Sequence, residues 1–145
     1  RDHGYACASI NYRLAQEAAF PAGVEDVKSA IRFLRANAEK YGYDPERFAI
    51  WGESAGGYLS VICGASNDEE FNSVPFIGED ENNPVSSEVQ VILNYYGCME
   101  FGTQAADYKE LKIPKVVQWA SGLWLTDASR ILAIMMWNLI GCVRM

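Results

Sequence analysis

A helix-length stretch caught between two short apolar runs constrains the fold most. Val24, Val27, Ile31, Leu34, Ala38 and Tyr41 step by 3, 4, 3, 4 and 3, a spacing that lines them up on one helical face. Glu25 and Asp26 stand in the first turn and Lys40 in the last, which complements the helix dipole. Gly42 supplies the stop. Before this helix, Tyr5–Asn11 reads as a strand of the kind buried on both faces of a parallel sheet, and Pro21 is placed to open the helix. After it, Arg47–Trp51 reads as a second strand. A helical run at Tyr58–Cys63, a long polar loop over 66–87 and a third strand at Val89–Tyr95 follow. Strands alternating with helices over such connections imply parallel strands and right-handed crossovers, so the class is α/β.

The remaining stretch follows another pattern. Ile131–Val143 is apolar on every side of a helix, which would require burial all round. It is shorter than the ~20 residues that cross a bilayer, so a membrane span is not expected. We read 1–125 as a partial domain and 126–145 as an apolar tail of uncertain status, a segment out of context or a buried helix. Arg1 in first place and the unpaired edges of a three-strand sheet add the expectation of a fragment, with self-association through uncovered apolar surface.

Charge narrows the partners. The formal charge is −7, and no Lys or Arg occurs between Arg47 and Lys109, a stretch holding ten acids. A phosphate backbone needs the reverse, so nucleic acid is excluded as a partner. The acidic runs Asp68–Glu70 and Glu79–Glu81 read as solvated loop. Cys7, Cys63, Cys98 and Cys142 show no metal-like spacing, and Cys7 and Cys63 sit in apolar runs where a thiol packs as a small hydrophobe. No metal or cofactor is implied, and the cysteine usage suggests a reducing, cytoplasmic compartment.

Chemistry concentrates at Gly52-Glu53-Ser54-Ala55-Gly56-Gly57. The pattern G-x-S-x-G is weak alone, but here a strand precedes it and a helix follows, the setting of a nucleophile elbow. Such a turn exposes the Ser54 hydroxyl, while Gly52, Gly56 and Gly57 let neighbouring backbone approach. The Ala55 N–H then lies at a helix N-terminus, where it can donate to a developing oxyanion. Glu53 should point away from Ser54 and be structural. Trp51 and Tyr58 are expected in the core.

Asn11-Tyr12-Arg13-Leu14, Phe20-Pro21-Ala22, Glu25-Asp26-Val27, Asp44-Pro45-Glu46-Arg47 and Gly52–Gly57 occur in this order. Together they resemble the α/β-hydrolase esterases, in particular the hormone-sensitive-lipase-like carboxylesterases and the bacterial feruloyl- and acetyl-esterase group. The resemblance runs from about Gly4 to Gly97. It implies the central part of an α/β-hydrolase parallel sheet with flanking helices, incomplete at both ends. It also implies a serine carboxylesterase acting on small acyl esters, such as acetyl or feruloyl groups on carbohydrate, without cofactor. Carried over, Ser54 is the nucleophile, Ala55 an oxyanion donor, and Arg13 and Asp26 brace the loop after the first strand.

The family orders its triad as Ser, acid, His, and the only histidine here, His3, precedes Ser54. The chain therefore offers no catalytic histidine in the expected place. Asp68, Asp80, Asp107 and Asp127 follow Ser54, but none lies after a strand that would mark it as the acid, which stays unassigned. Tyr108, Trp119 and Trp124 are candidates for a cap over the site or for ordinary packing. These gaps predict weak or absent activity for this chain. The alternatives are a non-catalytic binding module of the same fold and a degenerate remnant.

Overall fold

The computed structural model describes residues 4–66, 69–97, 99 and the strand 139–144. Chain order is β1 (Tyr5–Ile10), α1 (Ala22–Ala36), α2 (Ala38–Tyr41), β2 (Phe48–Glu53), α3 (Ala55–Ala65), β3 (Val91–Tyr95) and β4 (Leu139–Arg144). The sheet is ordered β1-β4-β2-β3. β2 and β3 are parallel, with Ala49 opposite Val91 and Glu53 opposite Tyr95. β4 runs antiparallel to both β1 and β2, so β1 shares the direction of β2 and β3.

β4 corrects the helical reading of the tail over its described end. A run that is apolar on all sides fits a strand packed on both faces as well as a buried helix, and periodicity does not separate the two. The rest of Ile131–Val143 lies outside the described residues. β1 departs from expectation too. Every second residue is exposed, including Cys7, because β1 is an edge strand with only one face against the core.

Val24, Val27, Ile31, Phe48, Ile50, Leu59 and Cys63 form the buried core, where α1 and α3 meet β2. The single predicted helix is two. α1 ends at Asn37, and the break carries Tyr41 off the apolar face to 51% exposure, where it stacks on Tyr43 at 6.2 Å. Ala38 keeps its buried place, and Gly42 closes α2 at φ 74°, a left-handed conformation suited to a residue without Cβ.

α1 also buries two bases, Lys28 and Arg32. Lys28 Nζ donates to the Glu70 carbonyl at 2.8 Å. Arg32 pairs with Glu79 at 2.8 Å and donates to Asn72 Oδ1 and the Val74 carbonyl. One turn further, Arg35 donates to the carbonyls of Pro45, Ser86 and Glu88. Three bases on one helix thus tie down the polar loop between α3 and β3. Glu79 is not the solvated residue expected, since its side chain is only 12% exposed against Arg32. Asp80 and Glu81 are exposed as anticipated.

Candidate active site

β2 is better buried than β1 or β3, and its carboxyl end delivers Ser54 into the turn that starts α3. Ser54 is exposed, with φ 51° and ψ −114°. A side-chain-bearing residue seldom takes positive φ, and it persists where the surroundings over-determine it. Two backbone bonds do so here. Ser54 N–H donates to the Tyr95 carbonyl at 2.9 Å, and the Ser54 carbonyl accepts the Tyr58 N–H at 3.0 Å. The first locks the turn to the end of β3; the second opens the helix.

Glycines make room for this arrangement. A Cβ on Gly52 would run into the backbone of Gly56 and Gly57. A Cβ on Gly57 would strike Asn94 Oδ1 and reach the Gly97 backbone. Ala55, Gly56 and Gly57 are buried in the first turn of α3. Ser54 makes no side-chain capping bond there, so its hydroxyl does not compete for the N–H groups that open the helix.

Sequence reasoning missed two residues of the neighbouring turn. Asn94 Oδ1 accepts the Gly97 N–H at 2.8 Å while lying against Gly57. Its signal was a single polar residue inside the apolar run of β3. Tyr96, at φ 44°, donates its hydroxyl to Glu53 Oε2 at 2.7 Å. The hydrogen bond to Glu53, ahead of desolvation, pushes the Tyr96 phenol above its ordinary pKa. Glu53 is therefore engaged with the β3 turn, in keeping with a structural role.

Residues 1–135 match the BD-FAE family. The chain belongs to that family. Esterase LipC of Mycobacterium tuberculosis is 37% identical over 95 residues, covering 65% of this chain and 22% of its own length. A solved structure titled a truncated form of carbohydrate esterase from gut microbiota superposes with TM-score 0.54 at 33% identity, covering 61% of this chain and 33% of that one. An acetyl ester-xyloside bifunctional hydrolase from Caldicellulosiruptor lactoaceticus gives TM-score 0.51 at 27% identity, covering 78% and 42%. The chain thus spans between 22% and 42% of the length of these relatives. Its fold is that of the α/β-hydrolase esterases, represented in part.

Within this BD-FAE chain, the brace after β1 has the expected partners. Asp26 accepts the Arg13 backbone N–H at 2.7 Å and the Arg13 guanidinium at 2.8–3.0 Å. Hydrogen bonding to Asp26 raises the Arg13 pKa further above its usual value. Trp51 and Tyr58 are half-buried, and Trp51 lies 5.8 Å from Tyr95. Among the described residues, Trp51 Nε1 is buried without a hydrogen-bond partner.

Of the candidate acids, only Asp80 falls among the described residues, and its hydrogen-bond partners do not include Ser54. Asp80 accepts the backbone and side-chain N–H groups of Asn82 at 3.0 and 3.2 Å. It lines a cavity of about 400 Å³ with Arg32, Asn72 and Glu79, and no elbow residue shares that cavity. His3, Asp68, Asp107, Asp127, Tyr108, Trp119 and Trp124 lie outside the described residues. Among the described residues, no cluster of three or more His, Cys, Asp or Glu offers a metal site, and no helix is long and apolar enough to cross a membrane.

Proposed function

We propose that this chain carries the nucleophile portion of a carboxylic ester hydrolase, with Ser54 attacking the ester carbonyl. The observation that supports this most is the conformation of Ser54, exposed at positive φ between a buried strand and a helix N-terminus. In this reading Ser54 Oγ forms the acyl-enzyme, and the Ala55 N–H donates to the oxyanion of the tetrahedral intermediate. Water then releases the acid. The base and the acid of the triad are not assigned to any residue of this chain. No metal enters the scheme.

The substrate we propose is a small acyl ester, such as an acetyl or feruloyl group on a carbohydrate. Similarity to proteins titled carbohydrate esterase and acetyl ester-xyloside hydrolase supports that class. Self-association is proposed alongside it, supported by Val91, Leu93 and Tyr95, each 44–49% exposed on edge strand β3. A cytoplasmic setting fits the cysteine usage.

Since no histidine follows Ser54 in the sequence, acylation by this chain should be slow. A second reading of these residues is a binding module of the same fold without catalysis. A fluorophosphonate probe, read by intact mass, separates the two. The esterase reading expects one slow adduct on Ser54, absent from Ser54→Ala and accelerated by added imidazole acting as the base. An adduct undiminished in Ser54→Ala, or no adduct on a folded chain even with imidazole, overturns it.

A further inference from the structure

Cys7 stands directly opposite Cys142 in the antiparallel pairing of β1 with β4. Directly opposed residues in such a pair have Cα atoms about 4.5–5.5 Å apart, within the ~4.4–6.8 Å range that a disulfide spans. Bridging them would therefore ask little movement of either strand. On its other side Cys142 stands opposite Ala49 of β2, which in turn stands opposite Val91 of β3. One row across the sheet thus reads Cys7, Cys142, Ala49, Val91.

Accessibility separates Cys7 from the other described thiol. Cys7 is exposed on an edge strand, so an oxidant in solution reaches it. Cys63 is buried, donates to the Val24 carbonyl at 3.7 Å, and has its pKa pushed up to about 12 by desolvation. Thiolates, not thiols, carry out exchange, so Cys63 is poorly suited to it.

We infer that Cys7 and Cys142 form a redox-responsive pair whose disulfide staples β4 to β1. The oxidant class is a small-molecule disulfide. The Cys7 thiolate attacks it, forming a mixed disulfide and releasing one small thiol. The Cys142 thiolate then attacks Cys7 Sγ and expels the second small thiol. Two protein thiols and one external disulfide become one protein disulfide and two external thiols. The closed loop takes in nearly the whole chain, the case in which cross-linking restricts the unfolded ensemble most. Because β4 also pairs with β2, the staple fixes the strand beside the one that delivers Ser54. None of this depends on Ser54 being a nucleophile.

The test equilibrates the full chain in buffers of oxidised and reduced glutathione, then applies non-reducing digestion, mass spectrometry and urea unfolding. The expected result is a Cys7–Cys142 cross-linked peptide, with intact mass lowered by about 2 Da and the urea midpoint raised by about 1 M or more. Both changes should vanish in Cys7→Ser and in Cys142→Ser and persist in Cys98→Ser. Cross-linking of Cys7 chiefly to Cys98, linkage only between chains, or arrest at the glutathione adduct would overturn the proposal. So would an intramolecular bridge that leaves the midpoint unmoved.

Discussion

The turn around Ser54 and the loop clamped by α1 solve similar problems by opposite means. At the turn, bulk is removed. Gly52 and Gly57 let β2, α3 and the end of β3 approach until a single Cβ would collide, and the defining bonds are backbone to backbone. At the clamp, bulk and charge are added. Lys28, Arg32 and Arg35 reach across to residues as far as 53 positions away and satisfy carbonyls the loop itself leaves open. A site that must present one atom in a fixed orientation gains from short backbone constraints, since they leave no rotamers to choose among. The long loop has short local turn bonds of its own, such as Glu79 N–H to the Phe76 carbonyl and Asn83 N–H to the Asp80 carbonyl, and is tied to the rest of the fold by the α1 side chains.

If that contrast is right, the largest single-residue effect belongs to Gly52→Ala. The new methyl meets the Gly56 and Gly57 backbone, which cannot rotate away. We expect a loss of about 3 kcal/mol or more, read as a collapsed urea midpoint or insoluble chain. A wild-type midpoint for this variant would break the comparison at its first term.

Arg32→Met comes next. It leaves the Glu79 carboxylate at 12% exposure without its partner and orphans the Val74 carbonyl. The expected cost is about 3 kcal/mol, with part recovered in the double variant Arg32→Met/Glu79→Gln, which removes the stranded charge. Hydrogen exchange should rise over residues 70–88 and stay unchanged in β2. Uniform loss of protection would mean that clamp and turn are one cooperative unit.

Cys63 sits where α3 faces α1 and links the two regions through pH. Its raised pKa means that the folded chain keeps the thiol proton after the unfolded chain has lost it, so stability falls as pH climbs from about 9 towards about 12. By about pH 11 the deficit should approach 3 kcal/mol. Burial raises the Tyr12 and Tyr43 phenols as well, in the same direction at higher pH. Urea midpoints of Cys63→Ala against the parent should therefore converge as pH rises above 9. Parallel curves would show that the buried thiol carries none of the dependence.

The contrast also explains what the sequence disclosed. Gly52–Gly57 is legible because its constraint is local. Glycines at fixed offsets between an apolar strand and an apolar helix leave few other conformations, and the α1 face is legible for the same reason. The clamp was illegible because Arg32 and Glu79 lie 47 positions apart, and an arginine on a helix reads as solvated until its partner is known. β4 failed differently. A run apolar at every position carries no period, so only pairing with β1 and β2 makes Leu139–Arg144 a strand.

The smallest effects test whether side chains matter at the turn at all. Asn94→Ala removes the acceptor of the Gly97 N–H, and we expect about 1 kcal/mol with a measurable slowing of probe labelling at Ser54. Tyr96→Phe removes only the bond to Glu53, in which both residues are exposed and water replaces the lost partner. Its midpoint and its labelling rate should match the parent within error. The pair is informative because both residues flank Tyr95, whose carbonyl holds Ser54, so distance does not separate them. What separates them is that Asn94 fixes backbone and Tyr96 fixes a side chain. If Tyr96→Phe slows labelling as much as Asn94→Ala, the Ser54 orientation depends on side-chain contacts after all, and the turn is less different from the clamp than its glycines suggest.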